Sequence, residues 1–203
     1  MPLAEIRRAI GLTQSEIAAQ LDQDMGRKAG AGVAGSDVLL GKFSFLSRYK
    51  VNGLLLEHEG QFCDRLFANC LPDKDVTSKG LTSKFVRSIP DIDFIKTRVE
   101  DGADVEAVLI WGGNKATNPP RAPSGHCFRI LGYAVTEGVP SIFFQHDQKQ
   151  GQVGGVSDDD GGYGWTCLST VKADDGNTYP TMPKFVDGKT LIITNVLSEK
   201  VQK

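Results

Sequence analysis

Apolar and polar positions follow a helical period at the start of the chain. Residues 3–22 place apolar side chains at helical spacing, and Thr13 followed by Glu16 predicts a capping box between two short helical pieces. The next stretch, residues 24–36, is rich in glycine and alanine, which predicts a linker or loop. We therefore expect residues 1–35 to form a helical arm with a connector.

Two further apolar stretches predict buried helices. Residues 37–58 are apolar and contain no proline, which is typical of a buried helix. Residues 62–70 repeat apolar side chains at helical spacing until Pro72 ends the element. Residues 72–90 are polar and irregular, and we predict no helix or strand there.

The period changes in the second half of the chain. Asp91 or Asp93 caps a short helix that Gly102 closes, and after it the apolar runs are short and rich in β-branched and aromatic residues. The five runs predicted to be strands are residues 104–111, 127–135, 141–146, 165–170 and 190–196. Because helices come first and strands follow without alternation, the pattern predicts an α+β fold with a largely antiparallel sheet.

Composition and charge narrow the classes of protein. The chain has 203 residues with 40% hydrophobic and 24% charged side chains, which is typical of one globular domain, with or without an arm. A formal net charge of −2 provides no basic excess for binding nucleic acid or an anionic membrane. No apolar run is long enough to span a bilayer and no signal peptide is evident, so we expect a soluble protein, cytoplasmic by default.

No motif predicts a metal site or a cofactor. The four cysteines form no Cys-x-x-Cys pair, so free thiols are expected and zinc is not. The acidic loops at 157–162 and 173–178 offer oxygen ligands for calcium but lack the spacing of an EF-hand, and Asp-Gly turns explain them equally well. The expected partner is instead a peptide or a protein.

The N-terminal segment IRRAIGLTQSEIAAQL resembles the first two helices of phage-repressor helix-turn-helix domains. The residues that should form the recognition helix are the glycine-rich stretch 24–36, so DNA binding is a remote alternative. We expect residues 1–35 instead to pack on the domain or on a neighbouring molecule, which would allow a homo-oligomer or a larger assembly.

A histidine and an aspartate begin and end two neighbouring strands. The only turn signal between these strands is Thr-Glu-Gly-Val-Pro, residues 136–140. An antiparallel hairpin that pairs His126 with Asp147 is centred between Thr136 and Glu137, inside this signal. Cross-strand neighbours lie about 4.5–5.5 Å apart at Cβ, so the carboxylate would orient the imidazole as in a catalytic triad.

The run IKTRVEDGADVEAVLIW … GHCFRILGYAVTEGVPSIFFQHD resembles the C-terminal half of papain-like cysteine peptidases. It is most similar to the peptidases that process double-glycine bacteriocin leaders, and the resemblance covers about residues 92–150. It implies a papain-like fold over residues 36–203, with a helical part at 36–102 packed on a sheet at 103–198. It also implies that His126 is the general base and that Asp147 orients it.

The family's nucleophile is a cysteine at the start of a buried helix, followed by a proline and small residues. This chain has no such motif, and alignment through Asn52-Gly53-Leu54 places Phe45 at the nucleophile position. The candidate nucleophile is therefore Cys63, at the start of a predicted helix, with Gln61 as a donor to the oxyanion.

Two functional hypotheses follow. In the first, the domain keeps the peptidase fold without catalytic activity and serves as a binding or structural assembly subunit. In the second, it is an active cysteine peptidase that uses Cys63, His126 and Asp147. The missing nucleophile motif favours the first hypothesis.

Overall fold

The computed structural model describes residues 10–28, 35–48, 54–60, 76–78, 81–86, 88–111, 124–145, 162–182 and 191–201. The helices in these residues are α1 (Gln14–Asp24), α2 (Gly35–Arg48) and α3 (Ile92–Glu100). The strands are β1 (Leu54–Gly60), β2 (Val76–Ser78), β3 (Leu81–Val86), β4 (Asp104–Trp111), β5 (Ser124–Thr136), β6 (Val139–Gln145), β7 (Tyr163–Cys167), β8 (Ser169–Lys172), β9 (Thr178–Thr181) and β10 (Leu191–Val201).

The chain separates into two compact units. The first comprises Met1–Ser88, Gly102–Asp104 and Leu197–Lys203, and the second comprises Ile89–Asp101 and Val105–Val196. The coarse prediction of an α+β protein with antiparallel pairing is confirmed, although strands dominate and the described helices are short.

Helix α1 begins at the predicted capping box. The backbone N–H of Thr13 donates to the Glu16 carboxylate at 2.7 Å, and the Thr13 hydroxyl accepts from the Glu16 N–H at 3.3 Å. Hydrogen bonds from Thr13 also lower the pKa of Glu16. Helix α1 packs closely on α2, because a Cβ on Gly41 would lie only 2.4 Å from Cγ of Met25. Residues 1–9 and 29–34 of the predicted arm lie outside the described residues.

The strands of the first unit correct the sequence prediction. The helix predicted over residues 37–58 is right as far as Arg48 and wrong from Leu54, where β1 begins. Leu56, Glu57 and His58 are all buried, so both faces of β1 are covered and an apolar run of this kind shows neither period clearly.

The region from 72 to 90, which the sequence pattern predicted to be irregular, contains the two strands β2 and β3. Strand β2 pairs antiparallel with β3, and β3 pairs parallel with β1, with Leu54 opposite Leu81. The strand order in this unit is β2-β3-β1-β10. The part predicted as helical, 36–102, therefore contains a strand-forming segment that the sequence pattern did not reveal because β2 and β3 are short and polar.

A buried ion pair joins α2 to β10 within the first unit. Lys42 Nζ lies 2.5 Å from Glu199 Oε1, and both residues are buried although 157 positions separate them in the chain. Burial of one charge without the other would leave it uncompensated in a medium of low dielectric constant. The two side chains must therefore enter the protein interior together.

We expect Lys42→Met alone to lower the free energy of unfolding by about 3–5 kcal/mol, because Glu199 would remain buried without its cation. Glu199→Met alone should cost a similar amount, and the double variant should lose less than the two single losses together. Urea unfolding of the three variants measures this coupling. Arg27→Met is the matched control, since both side chains of the Arg27–Asp22 ion pair are about half exposed and the pair should contribute at most about 1 kcal/mol. Additive losses would contradict the coupling.

The sheet of the second unit confirms most of the predicted strands. Antiparallel ladders join β4 to β5, β5 to β6 and β6 to β7, and the strand order is β10-β4-β5-β6-β7. Helix α3 begins at the predicted cap, where Asp91 accepts from the Asp93 N–H at 2.9 Å, and it buries Ile95 completely. Gly102 follows it with a positive φ of 73°, as expected for a residue that ends a helix.

The single strand predicted over residues 165–170 is in fact two. Strand β7 ends at Cys167, and β8 begins at Ser169 and pairs with β9 in a separate two-stranded sheet. Leu168 between them is buried, and its N–H donates to the Pro140 carbonyl at 2.7 Å. Residues 165–170 read as one continuous strand-like run in the sequence. The pattern therefore gives no sign that the chain passes from one sheet to the other at Leu168.

The hairpin of β5 and β6 turns through two residues within the predicted segment. Glu137 has φ 52° and Gly138 has φ 78°, so both central residues are left-handed, which is the pattern of a type I′ turn. Glycine tolerates this conformation freely, whereas glutamate adopts it at a cost.

We expect Glu137→Asn to raise the free energy of unfolding by roughly 0.5–1 kcal/mol, because asparagine tolerates the left-handed region better. Gly138→Ala should lower it by a similar or larger amount. Chemical unfolding followed by circular dichroism measures both changes. Glu106→Asn, on β4, is the control for the loss of a glutamate side chain outside the turn; equal effects at Glu106 and Glu137 would exclude the turn explanation.

Candidate functional site

His126 lies near the start of β5 on the buried face of the sheet. It pairs with Leu109 of β4, and it shares its face with Phe128 and Ile130, because side chains alternate along a strand. The residue is 7% exposed, and its Nε2 atom is shielded from solvent. The imidazole predicted to be a general base therefore sits among core side chains.

The surroundings of His126 are mainly apolar. Leu109 is fully buried, and Phe128 makes an edge-to-face contact with Phe144 of β6, with ring centroids 5.9 Å apart. A general base must reach the proton that it removes. The described residues on this face include Leu109 and Phe128.

The predicted partner of His126 is Asp147, which lies outside the described residues. The ladder between β5 and β6 is described as far as the pair Arg129–Gln145, and it contains a bulge between Ile130 and Gly132. The prediction that the turn falls within residues 136–140 is confirmed. The pairing of His126 with Asp147 stays a prediction.

The other predicted site residues also fall outside the described part of the chain. Cys63 and Gln61 are among residues 61–75, so the structure does not test the proposed nucleophile or oxyanion donor. Phe45, which occupies the nucleophile position in the family alignment, is a buried residue of α2. Of the four predicted site residues, the structure places only His126.

Two cysteines belong to the described residues, and both are exposed. Cys127 follows His126 directly, so its side chain points to the opposite face of the sheet. Its Sγ lies 4.0 Å from Oε2 of Glu106 on that face. Sγ of Cys167 lies 3.8 Å from the Ser141 hydroxyl. Neither Cys127 nor Cys167 therefore places its thiol on the face of the sheet that carries His126.

The acidic loop at 173–178 is an Asp-Gly turn. The Asp175 carboxylate accepts from the Asn177 N–H at 2.9 Å, the Asn177 amide at 3.1 Å and the Tyr179 hydroxyl at 2.7 Å. These bonds, led by the one from Tyr179, lower the pKa of Asp175. Because the carboxylate is used within its own loop, the turn interpretation is confirmed here. The described residues contain no cluster of three or more potential metal ligands.

We expect Tyr179→Phe to raise the pKa of Asp175 toward its ordinary value, because it removes the strongest hydrogen bond to the charged form. A lowered pKa in the folded state means that the carboxylate stabilises the fold above its unfolded pKa and loses this contribution as pH falls through the folded pKa. The variant should therefore lose less stability on acidification than the parent. A titration followed by the carboxyl carbon shift of Asp175 measures the pKa, with Tyr133→Phe as the control; equal titrations in both variants would show that Tyr179 has no such effect.

A second surface, which sequence reasoning missed, lies on the opposite face of the sheet. We call Phe143, Tyr163 and Trp165 the outer aromatic cluster. Phe143 stacks on Tyr163 at 5.9 Å between ring centroids and contacts Trp165 at 5.2 Å. Gln145 donates to the Tyr163 hydroxyl at 3.0 Å. The signal in the sequence was the alternation Tyr-Gly-Trp, which places two aromatic rings on one face of a strand.

Comparison of the chain with known protein families, with characterised proteins and with solved structures finds no match. The resemblance to papain-like peptidases therefore rests on the residues of the segment 92–150 themselves. Within the described residues, no helix combines the length and the apolar character needed to cross a membrane.

Proposed function

We propose that this chain is a papain-like domain without peptidase activity that acts as a binding or structural subunit for a peptide or protein partner. The main support is the placement of His126, which faces the core of the second unit with Leu109 and Phe128. The cysteine that has a proline shortly after it is Cys70, followed by Pro72, and the sequence pattern predicts it at the end of a helix, whereas the family's nucleophile begins one.

The charges on α2 favour a protein partner over DNA. A recognition helix needs basic or polar side chains that reach the nucleic acid. The two basic residues of α2 are engaged with carboxylates instead, because Lys42 is buried against Glu199 and Arg48 pairs with Asp24.

The competing hypothesis is an active cysteine peptidase, and alkylation kinetics separate the two. We expect iodoacetamide to modify each of the four cysteines no faster than it modifies N-acetylcysteine, because no base activates them. Replacement of His126 by glutamine should leave these rates unchanged. Quantitative peptide mass spectrometry over time gives the rate at each cysteine.

The matched control is His58→Gln, which replaces another buried imidazole, on β1. If Cys63 reacts at least about tenfold faster than N-acetylcysteine and loses this advantage in His126→Gln but not in His58→Gln, the protein is an active thiol enzyme and our proposal is wrong.

A further inference from the structure

Strand β7 forms one end of the sheet in the second unit. It pairs with β6 along one side, through Ser141–Cys167, Phe143–Trp165 and Gln145–Tyr163. Its other side pairs with no strand in the described part of the chain. An edge of this kind presents backbone N–H and C=O groups that can pair with another segment.

The ladder identifies which backbone groups face this edge. The Leu168 N–H donates to the Pro140 carbonyl at 2.7 Å, so residues 168, 166 and 164 direct their backbone groups toward β6. The alternate residues Tyr163, Trp165 and Cys167 therefore direct theirs away from β6. Two members of the outer aromatic cluster, Tyr163 and Trp165, thus also direct their backbone groups toward this edge, whereas the Cys167 carbonyl there accepts from the Thr166 hydroxyl at 3.4 Å.

The edge carries none of the features that usually prevent strand addition. Its sequence, Tyr-Gly-Trp-Thr-Cys, contains no charged residue and no proline. Trp165 is 61% exposed and Tyr163 is 41% exposed, so both rings stand in solvent beside the free backbone groups. A large exposed indole on an uncharged edge is a common feature of binding surfaces.

The size of the surface indicates what binds there. An aromatic side chain buries about 150–250 Å² at most, so the two exposed rings supply far less than the about 1,200–2,000 Å² that a stable protein–protein interface buries. A second folded copy would need much more contact area than these two rings supply. A short extended peptide gains its affinity mainly from main-chain hydrogen bonds and needs only pockets or platforms for alternate side chains.

We propose that the edge of β7 binds an extended peptide segment as an added strand, with apolar side chains of the peptide on the outer aromatic cluster. This inference rests on the proposed function as a binding subunit and names its binding surface and the class of its partner. The backbone groups of Tyr163, Trp165 and Cys167 would supply the hydrogen bonds, and the rings of Trp165 and Tyr163 would cover every second peptide side chain.

The test is a titration of the isotope-labelled full chain with a pool of blocked peptides of about ten residues that alternate valine, leucine or tyrosine with threonine or lysine. We expect amide shifts at Tyr163, Trp165 and Cys167 that exceed those at Gly164 and Thr166. A second pool, N-methylated at every backbone nitrogen, should not produce these shifts because it has no N–H on either side to donate to the carbonyls of the edge.

Two variants separate the backbone from the side-chain contribution. Cys167→Pro removes an N–H that faces the edge while leaving the ladder to β6 intact, and it should weaken binding at least about fivefold. Trp165→Ala should weaken it by a similar factor. Val135→Ala is the matched control, because Val135 is 58% exposed on β5 but belongs neither to the edge nor to the cluster.

Equal binding of the N-methylated pool, or shifts that avoid β7, would overturn the inference. A concentration-dependent dimer in sedimentation that Cys167→Pro abolishes would also overturn it, since a second copy would then occupy the edge. Because alkylation of the cysteines reports on catalysis alone, a failure at β7 is distinguishable from a failure of the proposed function.

Discussion

The alternation of side chains along β5, β6 and β7, with one face of the sheet buried, determines the chemistry available to the second unit. The pairing sends His126, Phe128 and Phe144 inward and sends Cys127 and Trp165 outward. A shift of the pairing by one residue would exchange the two sets. The imidazole and the adjacent thiol are therefore held on opposite faces by the same ladder that creates the outer aromatic cluster.

The first unit depends on a different kind of contact. Lys42 and Glu199 must meet in the interior although they lie far apart in the sequence. Neither residue carries a local pattern that reveals the other, and each in isolation would be assigned to a solvated surface. Sequence reasoning had no means of predicting this contact, because periodicity describes neighbours within an element and says nothing about partners in different elements.

The same limit explains which elements were predicted correctly. The cap at Asp91 and the turn at Glu137–Gly138 depend on residues within a few positions of each other, and both were found from the sequence. Strand β1 was missed because Leu54–Gly60 is buried on both faces, so neither a period of 3.6 nor a period of 2 is visible. The predicted site stays a prediction, because Cys63, Gln61 and Asp147 lie outside the described residues.

The two faces of the sheet in the second unit differ in what they expose to solvent. His126 is 7% exposed and shares its face of the sheet with Phe128 and Ile130. Trp165 and Tyr163 show the opposite arrangement, because large rings remain in water beside backbone groups that lack a strand partner among the described residues. Exposed apolar area on an unprotected edge favours aggregation unless something covers it. Under the proposed binding function, that outer edge is where recognition would gain the most free energy.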